Sequence, residues 1–323
     1  MNTRKTEKVV NNHLFNKNIL ATAVATAMFG AGVALAETEI SGSVTASENS
    51  TTNYWLGNNA TLTMTGTGSG MSNFYGTIDG SNLSSSNGTL SDSQRGNVTI
   101  TAANGLTLYG DVGATNGTGN MTLEAGSTLY LADNMTTFRT TTLTIGTGST
   151  VYTGNNASQG YNRASGDALT MTSNITMRGS STLNVGNGTT ITGNILGDSD
   201  GQGTLNINGN FTTGGNIGSD SVASSTAGEL AVITIGSGNT LTASHNMSAT
   251  SIYANGTIEA RSDSANITGA VKMGTAGKIY LNNSALNGGS GNAAKITGAI
   301  DGNEARGGNL YANGTWSTGG VIG

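Results

Sequence analysis

Leu183-Asn-Val-Gly-Asn-Gly-Thr-Thr-Ile191 reads apolar, polar, apolar, Gly, polar, Gly, polar, Thr, apolar. Leu143-Thr-Ile-Gly-Thr-Gly-Ser-Thr-Val151 and Ile233-Thr-Ile-Gly-Ser-Gly-Asn-Thr-Leu241 repeat the pattern. Its alternating half places two side chains on one face of a strand, and its Gly-x-Gly half lets the backbone turn a corner. A short strand with a corner buries almost nothing by itself, so copies of it must stack. The reading that follows is an all-β chain folded as a parallel β-helix, a β-solenoid.

Outward from these copies, Val98-Thr-Ile100, Met121-Thr-Leu123 and Leu143-Thr-Ile145 start 23 and 22 residues apart, and Leu183 and Leu205 are again 22 apart. A repeat of that length suits one coil of two or three strands. Ile100, Leu123 and Ile145, and later Val185, Ile207 and Ile235, are expected to stack inside the coils, with Thr99, Thr101, Thr122 and Thr144 keeping the outside polar. Asn104 before Gly105 and Asn187 before Gly188 suit turns with positive φ. The spacing is looser from Leu205 to Ile233, and Gly113 to Asn120 and Ser219 to Gly228 read as polar insertions projecting from the rod. Some thirteen coils about 4.8 Å apart would span on the order of 60 Å.

Composition agrees with a thin interior. Leu, Ile, Val and Phe make up about 18% of the 323 residues, yet charged residues are only 10%, which does not fit charge-driven disorder. The chain has no Pro, so no ladder donor is missing, and no Cys, so it has neither disulfides nor thiolate chemistry. A Cys-free exported chain is compatible with crossing a second membrane unfolded.

Arg4, Lys5, Lys8 and Lys17 precede an uncharged, Ala-rich run from Ile19 to Val33 that ends in Ala34-Leu35-Ala36. Basic start, apolar middle and small residues at the end are the features of a secretory signal peptide over residues 1–36. As a membrane anchor the run is short and made largely of weakly inserting Ala, Thr and Gly. Cleavage after Ala36 leaves nine basic and seventeen acidic residues, thinly spread, which argues against nucleic-acid binding. Residues 37–60 read as an irregular N-terminal capping segment in which Tyr54 and Trp55 cover the open end of the stack, with the repeats filling residues 61–323.

Candidate chemistry is sparse, and no catalytic, cofactor-binding or metal site is assigned. Gly197-Asp198-Ser199-Asp200-Gly201 resembles the surround of a nucleophilic serine, but after cleavage His245, followed by Asn246, is the only available base. Asp198, Asp200 and Gln202 also match the first half of a calcium loop, whose twelfth position is Gly209 instead of an acid. Gly288-Gly289-Ser290-Gly291 lacks the acid of a repeating calcium solenoid, since Asn292 and Ala293 follow. Arg261 with Asp263 is the best local charge pair for polysaccharide cleavage and reads as a solvated ion pair. Asn97-Val-Thr99 is an acceptor-type tripeptide in a chain rich in Asn and Thr. Thr99-Ile-Thr101 and Thr63-Met-Thr65 do not recur in register along the chain, so a flat ice-binding rank is not expected.

The signal peptide, the Cys-free Gly/Thr/Asn/Ser-rich body and repeats such as Leu183–Ile191 resemble the passenger domains of type V secretion autotransporters, the pertactin-like and adhesin-like proteins of Gram-negative bacteria. Gly307-Gly-Asn-Leu-Tyr-Ala-Asn-Gly-Thr-Trp316 is similar to the Gly-Thr-Trp coils late in such passengers. The resemblance covers most of residues 37–323. It implies a right-handed β-helix displayed at the outer membrane and cell surface. Non-enzymatic adhesion, aggregation or biofilm roles go with it, through host-surface or glycan ligands or self-association. It also implies an outer-membrane β-barrel translocator, whose aromatic-girdled strands are missing here. The chain is therefore expected to be a fragment of a longer protein, or a truncated product that stays in the periplasm. The rival expectations are a β-helical polysaccharide lyase or hydrolase and a structural surface-layer or matrix protein.

Overall fold

The computed structural model describes residues 37–46, 49–66, 71–80, 95–154, 167–219, 228–260, 265–281, 294–302, 307–312 and 316–323. The segment read as a signal peptide lies outside them, as do Arg261, Asp263 and Gly288 to Ala293. Among the described residues every element is a strand, from Glu37–Ile40 to Trp316–Thr318, and the strands form sheets of three, twelve and thirteen members. The named strand pairs are parallel, as the coils of a β-solenoid require.

The pairing registers trace three columns of inward side chains. On the first face Leu62, Val98, Met121 and Leu143 lie over one another beneath the exposed Val44 of the terminal rung and lead on through Ile175, Ile195, Ile217 and Met247 to Thr318. On the second, Leu106, Leu129, Val151, Leu183, Leu205, Ile233 and Ile252 stack in order. On the third, Tyr54, Ile78, Val112, Phe138, Met171 and Ile191 do the same. These columns merge into one core, in which Phe74, Phe138 and Phe211 are the bulkiest enclosed side chains. The first face carries twelve described rungs instead of the expected thirteen, a stack about 50 Å long at the usual strand spacing.

The three nine-residue copies are not equivalent. Leu143–Val151 turns from the first face to the second, because Leu143 pairs with Met121 while Val151 pairs with Leu129. Leu183–Ile191 and Ile233–Leu241 turn from the second face to the third. Likewise Ile100, Leu123 and Ile145 stack on the first face, whereas Val185, Ile207 and Ile235 stack on the second. The same strand-and-corner solution thus serves two corners of one coil, since both need two inward side chains and a tight backbone bend.

Two sequence expectations are corrected. Residues 37–60 are not irregular: they contribute the strands Glu37–Ile40, Ser43–Ala46 and Asn53–Leu56, and Tyr54 is enclosed and stacked on Phe74. Gly113 to Asn120 is a bonded corner and not a projecting loop. The Thr115 and Asn116 N–H groups donate to Asp79 Oδ1 (2.9 and 3.4 Å), Arg139 Nη2 donates to the Thr115 carbonyl (2.9 Å), and Arg95 Nη1 donates to the Gly117 carbonyl (3.2 Å).

Two corner glycines show how closely the coils approach. Gly269 and Gly298 occupy the same corner on successive coils with φ of 133° and 128°, and a Cβ on Gly269 would collide with the Ala249 carbonyl oxygen. Leu205→Ala, in the middle of its column, is expected to cost about 2–5 kcal/mol through the cavity it leaves. Gly269→Ala is expected to cost more than about 1 kcal/mol through backbone strain. Urea titration followed by far-UV circular dichroism measures both, and near-wild-type midpoints would contradict this packing.

Candidate functional site

The turn after the strand Ile195–Gly197 holds the acidic residues singled out above. Asp198 Oδ2 lies 3.3 Å from Arg178 Nε on the coil before it, in an ion pair roughly half exposed on both sides. Asp200 Oδ1 accepts from the Glu229 N–H at 3.1 Å, on the coil after it, and Gln202 Oε1 accepts from the Gly179 N–H at 2.9 Å. These oxygens fasten neighbouring coils, and Gly201 and Gly203 supply the positive φ the turn needs (72° and 83°).

Ser199 and His245 are kept apart by topology. Ser199 follows the first-face strand containing Ile195, while His245 precedes Met247, two rungs on by way of Ile217. Two rungs amount to roughly 10 Å along the rod, and the two residues also sit at opposite ends of that face. Among the described residues no cluster of three or more His, Cys, Asp or Glu side chains comes together to hold a metal ion.

The distinctive surface chemistry lies in the outward positions, which repeat from coil to coil. On the first face Thr45, Thr63, Thr99, Thr122, Thr144 and Thr176 are in register on six successive coils. Beside them, two residues earlier in each strand, stand Ser43, Thr61, Asn97, Asn120, Thr142 and Asn174. This corrects the expectation that Thr-x-Thr runs fall out of register. The rungs Leu62 to Val98 and Leu143 to Ile175 are separated by 36 and 32 residues, yet the strands align.

The third face carries another column, Thr137, Thr170, Thr190, Thr212 and Thr242, followed by Glu259, Tyr280 and Tyr311. A shallow groove of about 340 Å³ runs there between Gly188, Thr190, Asn210, Thr212, Thr240 and Glu259. On the second face Tyr130 and Tyr152 stack at 4.9 Å with planes 6° apart, Asn206 Nδ2 donates to Asn184 Oδ1 at 3.1 Å, and Lys272 Nζ sits 5.4 Å from the Tyr253 ring centre. Tyr280 and Tyr311 stack in the same way at 4.7 Å. Such like-on-like pairs follow from parallel, in-register stacking.

An asparagine ladder holds the corner where the third face meets the first. Asn174 Oδ1 accepts from the Asn194 N–H (3.1 Å), Asn194 Oδ1 from Asn216 (2.8 Å), Asn216 Oδ1 from Asn246 (3.2 Å) and Asn246 Oδ1 from Asn266 (2.9 Å). Asn97 Oδ1 does the same for the Asn120 N–H at 2.8 Å. Each of these residues immediately precedes an inward Val, Ile or Met, as in Asn174-Ile175 and Asn194-Ile195, a dipeptide signal that was present in the sequence and not read. At a corner the strand-to-strand ladder is interrupted, and the side-chain carbonyl supplies the missing acceptor.

No protein-family model, no curated protein and no solved structure matches the chain. Among the described residues no helix is long and apolar enough to cross a membrane.

Asn194→Ala is expected to lower stability by about 1 kcal/mol, since it removes the acceptor of the Asn216 N–H, and Asn194→Asp is expected to lose less. Arg178→Ala breaks an exposed ion pair and is expected to stay within about 1 kcal/mol of wild type. Thermal melts of the three variants rank them, and an Asn194→Ala melt matching wild type would remove the ladder's stabilising role.

Proposed function

We propose that the chain is the right-handed β-helical passenger of a surface-presented, non-enzymatic adhesin or self-association scaffold. In this reading residues 1–36 are a signal peptide for export, and an outer-membrane β-barrel translocator displays the rod on a Gram-negative cell. Right-handed winding agrees with the strong preference of parallel crossovers for that hand. The observation that carries the proposal is the repetition of outward Thr, Asn and Tyr columns over successive coils. Weak polar contacts repeated at a constant rise add through multivalency, which suits a host-surface or glycan ligand or a second rod.

The groove on the third face supports binding more than cleavage. Its lining offers one carboxylate, Glu259, where glycoside hydrolysis commonly uses a pair. Thr190, Thr212 and Thr240 provide hydroxyl donors and acceptors suited to a neutral sugar.

The test is display of the chain through a barrel translocator on a non-adherent bacterium, with cell settling and retention on glycan-coated surfaces as readouts. Increased settling or retention relative to the empty translocator is the expected result. Display without either, together with release of reducing ends from polysaccharide, would favour the enzyme reading instead.

A further inference from the structure

We propose that the first face, over its six N-terminal coils, binds the surface of ice. This goes beyond adhesion and rests on a different set of residues from the groove. Thr45, Thr63, Thr99, Thr122, Thr144 and Thr176 form one outward column in register, and the Ser/Thr/Asn column two residues before each flanks it along the corner with the third face. The grid repeats about every 4.8 Å along the rod and about 6.6 Å along each strand. Water oxygens in the planes of ice recur at spacings close to these two.

Rigidity favours the match. Threonine has a restricted χ1, each of these strands after the edge strand Ser43–Ala46 is bonded on both sides within the sheet, and Asn97 is anchored through its bond to the Asn120 N–H at 2.8 Å. Every threonine offers one methyl and one hydroxyl, so the face can order water over its methyls and bond it through its hydroxyls.

Charge also distinguishes the occupant. The two columns contain no ionisable and no aromatic side chain over these six rungs, in a chain whose formal net charge is −5. An uncharged lattice that rejects ions meets an uncharged grid. A glycan ligand is better served by the Tyr-bearing second face or by the groove of the third.

Ice-affinity partition and thermal hysteresis of the full chain test the proposal, alongside Thr99→Lys/Thr122→Lys and a control, Thr234→Lys, on the second face. The wild-type chain and the control are expected to enter the growing ice and to shape its crystals. The double variant is expected to be rejected to the level of a non-binding protein while keeping the wild-type circular dichroism spectrum. Should the double variant not fold, Thr99→Val/Thr122→Val keeps the side-chain shape and is expected to lose most of the hysteresis. Rejection of the wild-type chain from ice overturns the proposal. So does equal loss in the control. A wild-type dimer excluded from ice and dispersed by the double variant would also overturn it, and would assign the face to a second copy.

Discussion

Parallel, in-register pairing is the constraint on which the rest of this structure depends. Each coil lies on its predecessor with residue over counterpart, as in Leu183 over Val151 and Leu205 over Leu183. Every position along the coil therefore becomes a column along the rod. An inward column is mostly apolar, a corner column can pass backbone acceptors from coil to coil, and an outward column can repeat one chemistry over several coils.

The interior shows how a chain with so few large apolar residues can fold. Nearly all of its Leu, Ile and Val on the described strands point inward, so little of the apolar content is spent on the surface. Some of the small polar residues that enter the core are satisfied by bonds to a neighbouring coil, whereas the enclosed hydroxyls of Thr118, Ser181 and Ser248 are not. Ser127 Oγ accepts from the Ala102 N–H (3.0 Å), and Ser149 Oγ accepts from the Ser127 N–H (3.1 Å) while donating to the Glu124 carbonyl (2.7 Å). These serines are enclosed and lie one over the other on successive coils. The asparagine ladder joins successive coils in the same way at the surface corner from Asn174 to Asn266.

Stacking links the scaffold to its surface. The sequence distance between rungs varies while the strand registers hold. The same geometry separates Ser199 from His245 and ties Asp198 and Asp200 to adjacent coils, so a cluster suggestive of catalysis in the sequence acts as a fastener in the rod. The faces then differ in chemistry: Thr and Asn on the first, Tyr and Asn on the second, Thr with a single carboxylate and two Tyr on the third.

The strand-and-corner pattern of Leu183–Ile191, the 22–23-residue spacing and the absence of Pro determined by themselves that the chain stacks parallel strands, because alternation and tight turns are local properties. They also marked Ile100, Leu123 and Ile145 as core. They did not reveal that the three copies of the pattern occupy two different corners, since both corners pose the same local problem. Nor did they reveal that Tyr54 lies inside the stack. The threonine columns were hidden for a further reason: Thr63 and Thr99, or Thr144 and Thr176, are separated by insertions of differing length, and sequence distance records the insertion as well as the coil. Only the tertiary structure removes that offset, because hydrogen bonding between neighbouring strands, and not position along the chain, decides which residues share a face.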